Sequence, residues 1–215
     1  MLGLNSCRGI HMKRTLTIDD ILPNDIFCTQ RNDFQEKLIA TKKNRRIPIG
    51  GDATFYFENH LTLWWQIQEM LRVEKGGAEQ LADELSAYSP LLPQEFPDGS
   101  MELVATFMIE IDDLERRFRA LSSLGGIEQH IWLHINDAKI QASPETDIDR
   151  TDENGKTSAV HFVRFRLKPE QVLQFHQTNQ NVILEITHPH YLHKTLLNEH
   201  QREALAQDLT KEKQS

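Results

Sequence analysis

Three histidines near the C-terminus have the side chain that many transition metals prefer. They are His188, His190 and His193. Imidazole nitrogens bind zinc, iron, copper and nickel, and three of them can complete the protein part of a catalytic metal site. The spacing matches no metal-binding motif, and Pro189 is expected to point the first two rings in different directions. A transition-metal cofactor is one hypothesis, and a chance cluster among the 10 histidines of the chain is the other.

A second candidate is a polar stripe on a predicted central helix. Its residues recur every three or four positions, and they are Glu58, Thr62, Gln66 and Glu69. One hypothesis is a polar groove that contacts a ligand or partner, with Arg45 and Arg46 beside it. The alternative is that the two arginines fold back and pair with the stripe carboxylates, because guanidinium grips carboxylate with two hydrogen bonds.

A third candidate lies on the outer face of a predicted sheet. His130, Trp132 and His134 alternate with apolar residues, as do Arg164 and Arg166 on the strand predicted to lie beside them. Two arginines and two histidines around an indole would receive an anion or a flat cofactor. If the N-terminal helices cover this face, the same groups are buried beside acidic residues instead.

The first half of the chain is predicted to be helical, with no strand before residue 95. The expected helices are 29–46, a central helix capped by Asp52 and ending near Val73, and 78–88. The segment from Ile47 to Gly51 is expected to separate the helix over 29–46 from the central helix, since proline and glycine end helices. The apolar arc that includes Trp64 is wide, so neighbouring elements should enclose that helix. The same apolar area would also serve a homodimer.

The second half changes to the two-residue period of β-strands. The predicted elements are a strand over 101–112, a helix over 113–124, strands over 129–135 and 158–167, a helix over 169–177, a strand over 181–188 and a last helix over 198–209. This β-α-β-β-α-β order predicts an α+β protein with a ferredoxin-like antiparallel sheet. The expected divisions are a disordered extension over 1–11, a helical region over 12–95 and the sheet region over 96–215, with the last two possibly forming one compact unit.

Composition limits the function classes. The chain has 215 residues and a formal charge of −8, which argues against general nucleic-acid binding. It lacks an apolar run of about 20 residues, the length needed to span a bilayer. Its two cysteines have no paired metal-ligand spacing and form no disulfide framework, which predicts a cytoplasmic protein.

Several separated blocks resemble the signature of a bacterial protein family. They are 45–50, 57–59, 65–74 and 188–191, followed by a helix that ends in 206–209. The family is domain of unknown function 3501, and the resemblance covers about Met12 to Leu209. It implies no activity and no catalytic residue. Its genes often lie beside those of a rubrerythrin-like protein and an iron–sulfur oxidoreductase, which implies a link to such a redox system.

The leading hypothesis is a non-enzymatic cytoplasmic accessory protein that binds a redox-protein partner in an iron–sulfur or rubrerythrin-type system. One alternative is a metal-dependent enzyme that uses His188, His190 and His193. The other is a sensor of an anion or small ligand. Elemental analysis separates the metal enzyme from the other two.

Overall fold

The computed structural model describes residues 13–211, except residues 76, 146–149, 154 and 179. The extension predicted over 1–11 therefore lies outside the described residues.

The described chain is a mixed α+β protein with two antiparallel sheets. Its helices are α1 Asn24–Lys43, α2 His60–Glu74, α3 Ala78–Tyr88, α4 Leu114–Ser123, α5 Pro169–His176 and α6 Glu199–Ala206. Its strands are β1 Arg46–Ile49, β2 Ala53–Phe57, β3 Met101–Ile109, β4 Ile131–Ile135, β5 Ala138–Gln141, β6 Ser143–Pro144, β7 Val160–Leu167, β8 Val182–His188 and β9 Tyr191–Leu196.

The prediction of no strand before residue 95 is wrong, because β1 and β2 form a hairpin there. Ile47 and Ile49 are buried on β1 and alternate with exposed residues, which is the period of a strand with one face inward. Pro48 is tolerated because β1 lies at the edge of its sheet, where a missing backbone N–H costs little. Gly50, at φ +65°, supplies the left-handed residue of the turn.

The central helix consequently begins later than predicted. Asn59, rather than Asp52, caps α2: its side chain accepts the Thr62 amide at 3.0 Å, and the Thr62 hydroxyl accepts the Asn59 amide at 2.9 Å. This reciprocal capping box satisfies two backbone donors that a helix start otherwise leaves unpaired. Phe57, predicted on the helix, lies on β2 instead.

The two sheets enclose one apolar core. Sheet A has the strand order β1-β2-β3-β7-β6 and sheet B the order β5-β4-β8-β9. The chain passes from sheet B to sheet A through Ala142, between β5 and β6. At the other side, the Tyr191 hydroxyl donates to the Ile49 carbonyl at 2.8 Å and links β9 to β1. Inner-face residues of both sheets belong to a single buried cluster.

This topology corrects the predicted ferredoxin-like sheet. The four strands of that prediction correspond to β3, β4, β7 and β8, which would share one sheet. Instead β3 pairs with β7 in sheet A, and β4 pairs with β8 in sheet B. The reason is that β5, a strand the sequence pattern did not reveal, occupies the other edge of β4. Sheet A also continues through β2, which pairs with β3 across the boundary predicted at residues 95 and 96.

The N-terminal helices cover the outer face of sheet A. Leu103, Val104 and Ala105 of β3 are all 0% exposed, so both faces of that strand are buried. Val104 packs with Trp64 and Trp65 of α2 and with Phe27 of α1 in a second apolar cluster. The prediction that neighbours enclose the helix of Trp64 is confirmed, since this indole is 6% exposed. Over the described residues, the helices are too short or too polar to cross a membrane.

Candidate functional site: a cleft between α2 and sheet A

A cleft of about 470 Å³ lies between the first turns of α2 and the outer face of sheet A. Its sheet wall carries Tyr56, Thr106, Met108, Val160 and Phe162, and its helix wall carries Thr62, Leu63 and Gln66. The size falls within the range of about 300–1,000 Å³ that is usual for small-molecule sites. Apolar and aromatic side chains with a few polar groups are the usual lining of such sites.

Glu58 supplies the carboxylate of the cleft. It directly follows β2, and its backbone amide donates to the Val104 carbonyl at 2.8 Å. Each carboxylate oxygen accepts one threonine hydroxyl, from Thr62 at 2.5 Å and from Thr106 at 2.7 Å. A carboxylate has about four acceptor sites, so both oxygens keep capacity for a further donor. The carboxylate is therefore held in one orientation and still able to bind a donor in the cleft.

Tyr88 of α3 and Gln66 of α2 supply polar side chains on the helical side of the cleft. Burial, together with the charge of Glu84, raises the pKa of the Tyr88 phenol, while the polar side chain of Gln66 opposes the rise. The phenol is consequently protonated at neutral pH, and it serves as a neutral hydrogen-bonding group in the cleft.

Arg45 holds the backbone beneath the cleft. Its guanidinium donates to the carbonyls of Phe57, Glu58 and Ala204, each at 3.0 Å. It also forms a buried ion pair with Asp208. The predicted pairing of Arg45 with the stripe carboxylates is wrong, because Arg45 binds the backbone of Glu58 and the carboxylate of Asp208. These contacts engage all three guanidinium nitrogens, so Arg45, which also lines the cleft, fixes the backbone of Glu58.

Arg46 and Lys42 form the cationic rim of the cleft. The Arg46 side chain is 57% exposed, and its guanidinium lies 3.6 Å from the Glu110 carboxylate. The predicted pairing of Arg46 with Glu58 or Glu69 is therefore wrong as well. An exposed pair of this kind is worth little, about 0–1 kcal/mol. Tyr56 lies under the Arg46 guanidinium and donates to Glu110 at 2.6 Å. Burial and this hydrogen bond raise the pKa of Tyr56 to about 12.

Glu69, the last residue of the predicted stripe, lies outside the cleft. It accepts from Arg31 at 2.7 Å and 3.1 Å and from Arg72 at 2.9 Å, and so ties α1 to α2. Burial opposes ionisation of Glu69, but the two arginines outweigh burial and lower its pKa. Glu69 is a structural residue that joins α1 to α2, whereas Glu58 and Gln66 face the cleft.

The three C-terminal histidines do not form a metal centre in this structure. Both ring nitrogens of His188 are engaged by backbone: Nδ1 accepts the His190 amide at 3.2 Å, and Nε2 lies 3.3 Å from the Gly125 carbonyl. Burial lowers the pKa of His188. His193 packs on the Tyr191 ring instead, with centroids 4.4 Å apart. Among the described residues, no three His, Cys, Asp or Glu side chains are placed to share a metal ion.

The predicted anion site on the sheet is not assembled either. His130 packs edge-on against His188, and His134 lies 2.6 Å from Glu185 on sheet B. Arg164 and Arg166 are on β7 of sheet A, because the strand beside β4 is β5 rather than β7.

The two arginines have local partners in sheet A. Arg164 lies 3.4 Å from Glu102 and donates to the Pro90 carbonyl at 2.5 Å. Arg166 binds Asp98 at 2.9 Å. Both side chains thus join β7 to the segments that precede and begin β3.

Thr106 and Tyr88 are among the cleft residues that the sequence patterns missed. Thr106 sits at an outward position of β3, and Tyr88 ends α3. The outward polar position of Thr106 was visible in the strand period. Its approach to Glu58 was not, since it depends on the pairing of β2 with β3.

Comparison with known proteins relates the chain to a solved structure and to a protein family. A crystal structure described as a novel protein of unknown function from Burkholderia pseudomallei K96243 is 34% identical, covers 91% of this chain and 100% of its own, and superposes with a TM-score of 0.81. No curated protein matches. The model of the family described as Protein of unknown function (DUF3501) matches residues 15–209. The resemblance seen in the sequence is confirmed, and the chain belongs to the DUF3501 family.

Proposed function

We propose that this protein is a non-enzymatic binding protein that holds a small organic molecule in the cleft between α2 and sheet A. The observation that carries the proposal is the fixed Glu58 carboxylate, which two threonine hydroxyls orient beside aromatic and apolar walls. A carboxylate held in advance loses little entropy when it binds a donor, which favours affinity. Of the hypotheses drawn from the sequence, this is the small-ligand sensor.

The support from the surrounding structure is that Glu58 is held independently of any ligand. Arg45 donates to the Glu58 carbonyl, and the Glu58 amide donates to the Val104 carbonyl. A substitution of the side chain alone therefore leaves these backbone contacts in place. Glu58→Gln removes the charge and keeps the size, which makes it a suitable test of the cleft.

The experiment is a thermal-shift screen of the full chain against small amines, amino acids and organic acids, followed by calorimetric titration of each hit. A ligand that binds only the folded state raises the midpoint of unfolding. We expect at least one hit whose affinity falls about tenfold or more in Glu58→Gln. The matched control is Glu115→Gln, an 87% exposed glutamate outside the cleft, and it should bind like the unchanged protein.

Two results contradict the proposal. One is a screen without any hit, and the other is a set of hits that bind Glu58→Gln as tightly as the unchanged protein. Circular dichroism of Glu58→Gln shows whether the variant is folded, so that a loss of binding is not confused with a loss of structure.

The accessory role in an iron–sulfur or rubrerythrin-type redox system, the cytoplasmic location and a homodimer all stay predictions. Copurification with endogenous redox proteins at low ionic strength tests the first, because electrostatic contacts are strongest there.

A further inference from the structure

The charges of the cleft are arranged along one row that crosses sheet A. In the strand register, Arg46 is opposite Tyr56, Tyr56 is opposite Thr106, and Thr106 is opposite Phe162. These cross-strand neighbours lie on the same outer face. Adjacent strands are about 4.8 Å apart, so the backbone positions of Arg46 and Thr106 are separated by about 10 Å.

Opposite charges lie beside two positions of this row, Thr106 and Arg46. Thr106 holds the Glu58 carboxylate at 2.7 Å, so the Thr106 position is the negative one. At the other position, the cleft is lined by the exposed cations Lys42 and Arg46, and the ion pair of Arg46 with Glu110, at 3.6 Å, is itself exposed. Arg45 lines the cleft as well, but its charge is paired with the buried Asp208 and its guanidinium also binds three carbonyls.

Flat aromatic surface lies along the row. Tyr56 occupies the position between Arg46 and Thr106, and Phe162 follows Thr106 on β7. Each ring carries a guanidinium over one face, from Arg46 over Tyr56 and from Arg150 over Phe162. Leu63 closes the cleft from the helix side. Rings of this kind stack on planar groups, and they also attract a cation held over their faces.

Resting on the proposed function, we propose that the ligand is a zwitterion with its amine and its acid at opposite ends of an apolar or aromatic body. The ammonium group binds Glu58, and the carboxylate or phosphate binds Arg46 and Lys42. The backbone positions of Arg46 and Thr106 are about 10 Å apart, and this separation favours a ligand whose two charges are also separated. An ordinary α-amino acid, with both charges on neighbouring atoms, satisfies only one of these positions.

Four related compounds test this inference by calorimetric titration at low ionic strength. The probe is 4-(2-aminoethyl)benzoate, which has an amine and a carboxylate at opposite ends of a benzene ring. Phenylalanine is its isomer with adjacent charges, 2-phenylethylamine lacks the acid, and 4-ethylbenzoate lacks the amine. We expect the probe to bind about tenfold or more tightly than each of the other three.

Variants of the cleft assign each end of the probe. Glu58→Gln should reduce the affinity for the probe to that for 4-ethylbenzoate. Lys42→Met and Arg46→Met should bring it toward that for 2-phenylethylamine. Lys43→Met is the matched control, since Lys43 is an exposed neighbour that does not line the cleft, and it should bind the probe like the unchanged protein.

The outcomes separate this inference from the function on which it rests. Equal binding of all four compounds, tighter binding of phenylalanine, or no effect of the Lys42 and Arg46 variants overturns the separated zwitterion. The separated zwitterion is also overturned if none of the four compounds binds while the broader screen yields a ligand that depends on Glu58. In that case the proposed function stands. If the screen yields no Glu58-dependent ligand, the proposed function fails as well.

Discussion

The guanidinium of Arg45 and the carboxylate of Asp208 form an ion pair that is almost completely buried, with side-chain exposures of 3% and 1%. The pair joins the turn between α1 and β1 to the short 3₁₀ turn after α6, across 163 positions of sequence. Because the same guanidinium binds the carbonyls of Phe57 and Glu58, the C-terminal segment supports the floor of the cleft.

Removing one partner of this pair should destabilise the protein strongly. Asp208→Asn leaves Arg45 buried without its counter-charge, and losses of about 3–5 kcal/mol in the free energy of unfolding are typical of such changes. Urea denaturation measures the loss. The exposed pair of Glu115 and Arg119 gives the matched control, since Glu115→Gln should change the free energy by less than about 0.5 kcal/mol.

The double variant Arg45→Met with Asp208→Asn distinguishes an ion pair from a general loss of packing. If the two charges act together, the double variant should lose less than the sum of the single losses. Strictly additive losses, or a loss in Asp208→Asn no larger than in the control, would contradict the coupling.

The aromatic packing between α1 and α2 depends on the Phe27 ring of α1. This ring is 0% exposed and packs edge-on against Trp64 and Trp65, with centroids 5.8 Å and 5.5 Å away. Phe27→Ala opens a cavity beside both indoles and should cost about 3–5 kcal/mol. Ile39→Ala on the same helix is the control, because Ile39 is 63% exposed and should change stability by less than about 0.5 kcal/mol.

Tryptophan fluorescence reports where the loss occurs. The emission of the folded Phe27→Ala variant should shift as Trp64 and Trp65 gain contact with water or mobility, while that of Ile39→Ala should not. Equal unfolding midpoints for the two variants would show that the packing between α1 and α2 does not depend on this ring.

The sequence supports some of these features and hides others for physical reasons. The wide apolar arc of α2 required covering neighbours, and the polar spacing picked out Glu58 and Gln66, which both line the cleft. The pair of Arg45 and Asp208 was hidden, since a contact between distant residues follows from topology and not from local periodicity. The β1–β2 hairpin was misread because Pro48 favours a helix break, and only the edge position of β1 makes it acceptable in a strand.

The outer face of sheet B should show a pH dependence that comes from Glu185. Burial opposes ionisation of this carboxyl, but hydrogen bonds from Lys194, His134 and Lys139 outweigh burial and lower its pKa from 4.5 to about 2. A carboxyl with a lowered folded-state pKa stabilises the protein above the unfolded pKa and loses that contribution as the pH falls through the folded pKa. The contribution of Glu185 should therefore be complete above pH 4.5 and decline toward pH 2.

Carboxyl-carbon NMR measures this titration directly, and Glu185→Gln identifies the signal. The difference in unfolding free energy between the unchanged protein and Glu185→Gln should be constant above pH 4.5 and shrink below it. A Glu185 signal that titrates at the ordinary value of 4.5 would show that the hydrogen bonds from Lys194, His134 and Lys139 do not stabilise the ionised form.

The turn between β1 and β2 offers a comparison between adjacent glycines. A Cβ added at Gly50 would lie 2.5 Å from the Tyr191 hydroxyl and 2.7 Å from the His193 ring, and its φ of +65° is strained for other residues. The hydroxyl has little room to move, because it donates to the Ile49 carbonyl at 2.8 Å and accepts the Asp52 amide at 3.1 Å. Gly50→Ala should therefore cost about 2–4 kcal/mol in urea denaturation.

Gly51 is the matched control for that clash. A Cβ there meets no atom within 4 Å, and the φ of Gly51 is not positive. Gly51→Ala should be neutral or should stabilise the protein by about 0.4–1 kcal/mol, because alanine restricts the unfolded chain. If the two variants unfold at the same urea concentration, β9 does not pack against the turn at Gly50. The link between β1 and β9 that joins the two sheets would then be wrong.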